Sequence, residues 1–238
     1  MNSNTTVIAT GASRAIQGQE QAMKLIFVGD PMCSWCYGFG KELTALTARH
    51  PELPLEIMVG GLRAGATDVL DDNGKQFRLV HWARVEESSG LPFNRGALLA
   101  RRNFVYDTEP ICRAVVAARR IAPEANQLAV FRALQRAFYV DGLDTTDGAV
   151  LAQAASAELA EQQFTVDAAT FHKTWLDSAT IATTSAEFAQ VQAMGIRSFP
   201  ALLLEANGQL IEVSPGYAHV DQLERQLDAA LRSLTTAA

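Results

Sequence analysis

Short apolar runs and helical spacings succeed one another along the chain in a readable order. Leu25-Ile26-Phe27-Val28 is an unbroken apolar run closed by Gly29-Asp30-Pro31. That is the pattern of a strand buried on both faces. A helical spacing follows, with Leu43, Leu46 and Thr47 on one face, and Pro51 and Pro54 stop it. Residues 55–59 form a second strand closed by Gly60-Gly61, completing a right-handed βαβ unit. From Leu62 strand-like runs vanish. Phe77, Val80 and Arg84 sit on a helix ending near Gly90, and Pro110 and Pro123 bound a helix over 111–121. Leu128, Phe131, Leu134 and Phe138 recur at helical spacing until Asp141-Gly142, and the pattern predicts further helices over 146–159, 167–176 and 185–194, the last stopped by Gly195. Strand chemistry returns at 201–204. Asn207-Gly208 signals a hairpin into a strand over 210–213. Val220, Leu223, Leu227, Leu231 and Leu234 then mark an amphipathic helix.

The order βαβ, several helices, ββα is that of an α/β thioredoxin fold interrupted by an all-helical insertion. It predicts a thioredoxin-like domain from 23–62 and 180–238, with a helical insertion domain at 63–179. Residues 1–22 are polar, carry one cation, Arg14, and lack the basic start and apolar stretch of a secretory signal. Either the functional chain starts at Met23, or 1–22 are a disordered, dispensable extension; both readings predict a cytoplasmic protein. Of the 238 residues 48 % are hydrophobic, enough to build a core and exclude an intrinsically disordered chain. The net charge of −6 argues against a nucleic-acid surface, and no apolar run is long enough to span a membrane.

Candidate chemistry rests on three cysteines, too few and too odd in number for a disulfide scaffold. Cys33 and Cys36 form a C-x-x-C. Zinc is a poor fit, because Cys112 and the scattered His50, His81, His172 and His219 supply no second ligand pair; no metal is expected. A redox pair fits better. Cys33 follows a buried strand and a turn and opens a helix, whose unpaired N–H groups and positive dipole end favour a thiolate. It is expected to be the accessible nucleophile. Cys36 lies one turn deeper on the same face, placed to resolve a mixed disulfide. Ser34 and Trp35 between them are read as tuning the couple.

Ser198-Phe199-Pro200 immediately precedes the returning strand. A proline at the first position of a strand loses no ladder bond, so it needs no special role. Its location in this fold points instead to a cis-proline facing the C-x-x-C. Cys112 is read as a small buried hydrophobe of the 111–121 helix. Arg101-Arg102 and Arg119-Arg120 are expected to be solvated or ion-paired, Asp71-Asp72 to be an exposed loop, and no histidine to be a catalytic base.

Residues 29–39, GDPMCSWCYGF, with Thr108 to Val116, Gln135 to Tyr139 and Gly195 to Ala201, resemble the DsbA-type thioredoxin-like oxidoreductases, in the FrnE-like disulfide-isomerase branch. 2-Hydroxychromene-2-carboxylate isomerases and kappa-class glutathione transferases are related to that branch. The resemblance implies a DsbA-like split fold, a nucleophilic Cys33, a resolving Cys36 and a cis Pro200. It also implies that Phe199 offers its backbone N–H and C=O to an extended substrate. The expected function is thiol–disulfide exchange with protein, peptide or small-molecule disulfides. No organic cofactor is required; the expected partners are a disulfide-bearing protein or peptide, with glutathione as a further candidate, and a thiol redox partner that the sequence does not identify. A glutathione-dependent isomerase or transferase is the alternative enzyme, against which Cys36 argues, since that chemistry needs no resolving thiol. A redox-sensing or holdase binding protein is the alternative of another class.

Overall fold

The computed structural model describes residues 23–236. The expectation for 1–22 lies outside the described residues. The chain opens with β1 (Lys24–Gly29), α1 (Ser34–Arg49) and β2 (Leu55–Val59). Seven helices follow: α2 (Asp72–Ser89), α3 (Arg95–Ala100), α4 (Glu109–Ile121), α5 (Gln127–Tyr139), α6 (Gly148–Glu161), α7 (Ala168–Leu176) and α8 (Ser178–Ala193). The chain closes with β3 (Ala201–Ala206), β4 (Gln209–Ser214) and α9 (Val220–Thr236). This is a thioredoxin fold carrying helices between its two halves.

The sheet order is β2-β1-β3-β4. Strand β1 runs parallel to β2 and antiparallel to β3, and β3 pairs antiparallel with β4. Alternation explains the apolar runs. Leu25, Phe27, Ile57, Val59, Leu202 and Leu204 face the main core, which holds α1, α4, α5 and α9 residues. Ile26, Val28, Met58, Ala201 and Leu203 face the other side, covered by Val191 of α8 with Met194 and Ile196 beyond it. Apolar residues fill both faces toward the site end of the sheet, whereas Lys24, Glu56 and Glu205 form ion pairs at its other end. Register then positions the site. Val28 pairs with Ala201, and Gly60 donates its N–H to the Gly29 carbonyl at 2.8 Å. The chain leaving β1, the chain entering β3 and the chain leaving β2 therefore meet at one sheet end.

One expectation needs correction and another refinement. Asp71-Asp72 is exposed but is no loop: the Asp71 side chain accepts from the Gly74 N–H at 2.7 Å as the N-cap of α2, and Asp72 is its first residue. Arg101 is ion-paired, with Asp144 at 4.0 Å, but it is not solvated and that pair is the longest of its polar contacts. Its guanidinium stacks on Phe104 and Phe138 and donates to the Leu143 carbonyl at 2.6 Å, because the 101–104 segment folds back over α5. Arg119 and Arg120 also find anions, in Glu187 and Asp177.

Arg119 bonds both the Ile57 carbonyl and Glu187, and Glu187 accepts the Val59 N–H at 3.1 Å. Side chains of α4 and α8 thereby satisfy backbone groups of the edge strand β2. Arg119→Ala leaves a half-buried carboxylate without its cation, held only by the Val59 N–H, and removes the Arg119 donor from the Ile57 carbonyl. It is expected to lower stability by about 1–3 kcal/mol, read from urea midpoints against the parent.

Candidate functional site

Cys33 is the N-cap of α1, in extended backbone at φ −83° and ψ 117°. Its N–H bonds the Asp30 carbonyl at 2.9 Å and its carbonyl accepts the Tyr37 N–H at 3.0 Å. No side chain caps this helix and no acidic residue stands in its first turn. The Cys33 sulfur lies 3.6 Å from the Phe199 carbonyl oxygen, to which the thiol donates. The Phe199–Pro200 peptide is cis. Cys33 is 7 % exposed and Cys36 0 %. The outer position of Cys33 follows from its place ahead of the helix, yet it is more sheltered than its sequence position suggests. Burial, first, and then the neighbouring Cys33 push the Cys36 thiol well above its ordinary value.

Cys33, Ser34, Trp35 and Phe199 line one cleft of about 500 Å³, together with Met32, Leu62, Arg63, Phe77, Arg78, His81, Trp82, Tyr106, Arg197 and Ser198. Cys36 sits beneath the cysteine that opens it, and Pro200 is buried behind Phe199. The Trp35 ring packs against Tyr217 with centroids 5.5 Å apart. Of the four histidines His81 reaches the cleft; His50 is held by Glu52 and Glu224 instead.

Two buried groups escaped the sequence reading. The Asp30 side chain, 0 % exposed, accepts from the Met32 N–H at 2.8 Å and the Leu62 N–H at 2.7 Å. Burial raises its pKa, while bonds from Thr108, from those backbone groups and from Cys112 work in the other direction. The one available signal was an acid directly after a fully buried strand, which also reads as an ordinary turn residue. Tyr106 donates its hydroxyl to the Met32 carbonyl at 2.7 Å beneath the Arg78 guanidinium, 4.1 Å above its ring. Nothing in its spacing relates it to Cys33. Cys112 is fully buried against Asp30, and burial holds its thiol well above the usual range.

Among solved structures, a candidate protein disulfide isomerase from Nitrosomonas europaea is 32 % identical to this chain. The match covers 89 % of this chain and 98 % of that one, with a TM-score of 0.79. The chain belongs to the DsbA-type thioredoxin-like family. The cytosolic disulfide reductase DsbM from Pseudomonas aeruginosa is similar at 26 % identity and a TM-score of 0.70, covering 88 % of this chain and 98 % of DsbM. A structure of DsbM with GSH matches at 25 % identity and 0.64, over 88 % and 99 % of the two chains. A 2-hydroxychromene-2-carboxylate isomerase, 14 % identical at a TM-score of 0.58 over 89 % and 95 % of the two chains, shares the fold of this DsbA-type chain. No family model matches the sequence, and no curated protein matches it.

Gly60 has the closest approach in this DsbA-type site. A Cβ there would overlap the Phe199 ring. Gly60→Ala is expected to push Phe199 aside and slow disulfide exchange by about tenfold to a hundredfold, as small misplacements at reacting centres do. The fold should persist, since the displaced atoms are the end of a side chain. Peptide-disulfide kinetics beside a thermal melt check both halves.

Proposed function

We propose that this protein is a thiol–disulfide oxidoreductase that works through a mixed disulfide on Cys33. The observation that carries the reading is the pair itself: an outer sulfur at an uncapped helix N-terminus, 3.6 Å from a backbone carbonyl, with a second thiol buried behind it. The free first-turn N–H groups of α1 favour negative charge at the outer sulfur. The Cys33 thiolate attacks a substrate disulfide. A Cys33–substrate bond forms, the substrate S–S bond breaks, and the departing thiolate takes up a proton. The Cys36 thiol then gives its proton to Asp30 and attacks the Cys33 sulfur. An intramolecular disulfide forms, the Cys33–substrate bond breaks, and the second substrate sulfur leaves as a thiolate that takes up a proton, so two electrons pass from protein to substrate. Ser34 and Trp35 flank the outer sulfur and tune the couple, while Phe199 presents its backbone beside the attacking atom.

The substrate is a disulfide-bearing protein, peptide or small molecule. DsbM, whose name places it in the cytosol as a reductase and which has been seen with GSH, supports reduction as the direction and glutathione as the thiol that restores the pair. A reducing cytosol pulls the same way. Cys36 favours this reading over the glutathione-dependent isomerase, which has no use for a resolving thiol. Insulin reduction with glutathione as electron source tests it, beside a glutathione-conjugation assay. Reduction without conjugation is expected; conjugation without reduction would overturn the reading.

A further inference from the structure

The wall of the cleft carries a charge pattern that dithiol exchange alone does not require. In a chain of net charge −6, three guanidinium groups, Arg63, Arg78 and Arg197, and the His81 ring line it. Among the described residues that line the cleft, none is acidic. The three are not equivalent. Arg63 is tied to Asp68 at 2.8 and 3.0 Å. Arg78 is fixed without a carboxylate: it donates to the Gly74 carbonyl at 3.0 Å and lies over the Tyr106 ring. Arg197 is exposed, stands two residues before Phe199, and has no ion-pair partner among the described residues. Around them lie apolar surfaces, with Phe77 at 64 % and Leu62 at 46 % exposure.

We infer that this cleft selects disulfides whose non-reacting part carries carboxylates, and that Arg78 and Arg197 are the specificity-determining residues. The inference rests on the dithiol reading and names its substrate class. A guanidinium fork matches a carboxylate in two parallel hydrogen bonds, and a fork already fixed by stacking loses less freedom on binding. Arg78 has that preparation on the α2 side. Arg197 stands on the Phe199 side. A carboxylate-bearing substrate laid along the cleft meets a cation on each side of the Cys33 sulfur, and its methylene groups cover Phe77 and Leu62. The same chemistry occurs in a small acidic disulfide and in an acidic stretch of polypeptide.

The test is a charge series of small disulfides: 3,3′-dithiodipropionate, bis(2-hydroxyethyl) disulfide and cystamine, with kcat/KM measured at low and high salt. The parent protein is expected to prefer the anionic compound over the cationic one by about tenfold or more at low salt, with the ratio shrinking as salt screens the cleft. Arg197→Glu and Arg78→Gln are each expected to reduce or invert that ratio; the milder Arg78 change keeps a side chain over Tyr106. A second arm compares peptide disulfides flanked by Glu or by Gln. Charge order in the small series alone assigns a low-molecular-weight acidic thiol, and order in the peptides alone assigns an acidic polypeptide; either supports the inference. Equal rates across both series in the parent, or an order unchanged in both variants, overturns it while leaving dithiol exchange intact. If no compound in either series reacts, dithiol exchange itself fails and takes this inference with it.

Discussion

Cys36→Ser protein, given a peptide disulfide, is expected to accumulate one covalent adduct on Cys33 and to lose turnover. Cys33→Ser protein is expected to lose turnover without any adduct. The asymmetry follows from depth. The outer sulfur lies beside the Phe199 carbonyl and opens on the cleft, whereas Cys36 has no exposed surface and is held protonated by burial and by its neighbour. A substrate can reach only the first. Once it has, the exit lies inside the protein, and serine cannot provide it because an alcohol does not displace a thiolate from a disulfide under these conditions. Non-reducing mass spectrometry with peptide mapping reads the result. An adduct on Cys36 in the Cys33→Ser protein would reverse the assignment, and parental turnover in either variant would remove the dithiol mechanism.

Asp30→Asn is expected to slow release of the mixed disulfide and to change how stability depends on pH. Its two oxygens accept separate backbone N–H groups, from Met32 and Leu62. An amide offers one oxygen, so one buried N–H faces an NH₂ group, at a cost of about 1–3 kcal/mol. The pH term has the opposite sense. Burial raises the Asp30 pKa above its ordinary 3.8, so the folded state binds the proton more tightly than the unfolded chain. Stability from this group is complete below the ordinary value and is lost as pH rises through the raised folded value. The variant lacks that loss. The gap in melting temperature between parent and variant should therefore narrow as pH rises above 4. A gap that widens over that range would show that Asp30 is ionised throughout. On the kinetic side, Asn cannot take the Cys36 proton, so the Cys33 adduct should persist longer than in the parent.

The sheet was legible because both of its faces are covered. Strands β1 and β3 show unbroken four-residue apolar runs and β2 one interrupted only by Glu56, and Asn207-Gly208 turns the chain with φ of 56° and 74°, as the hairpin dipeptide requires. Helix α3 was not legible: six residues, RGALLA, are too few to establish a period. The start of α8 was missed by seven residues, since 178–184 is rich in Thr and Ala and shows no apolar stripe. There Asp177 ends α7 and caps α8 with its side chain, so one residue separates two helices where a longer break was expected. Around the site, the C-x-x-C and Phe199-Pro200 announced themselves because their chemistry lies in adjacent residues. Asp30 and Tyr106 did not, because what distinguishes them is burial beneath Cys33. The cationic wall was illegible for a different reason. Arg63, Arg78 and Arg197 come from the β2 exit, α2 and the loop before β3, and only the meeting of those segments at one sheet end makes them a group.

The central claim is that Cys33 and Cys36 exchange two electrons as a pair, and redox equilibration tests it most directly. The protein is brought to equilibrium in a graded series of reduced and oxidised glutathione, quenched in acid, alkylated and mapped. The account predicts one reversible transition in which the Cys33 and Cys36 thiols disappear together and an intramolecular disulfide replaces them. Cys112, sealed beside Asp30, remains a thiol throughout. A Cys33 that ends as a stable glutathione adduct beside a free Cys36, across the whole series, would contradict it.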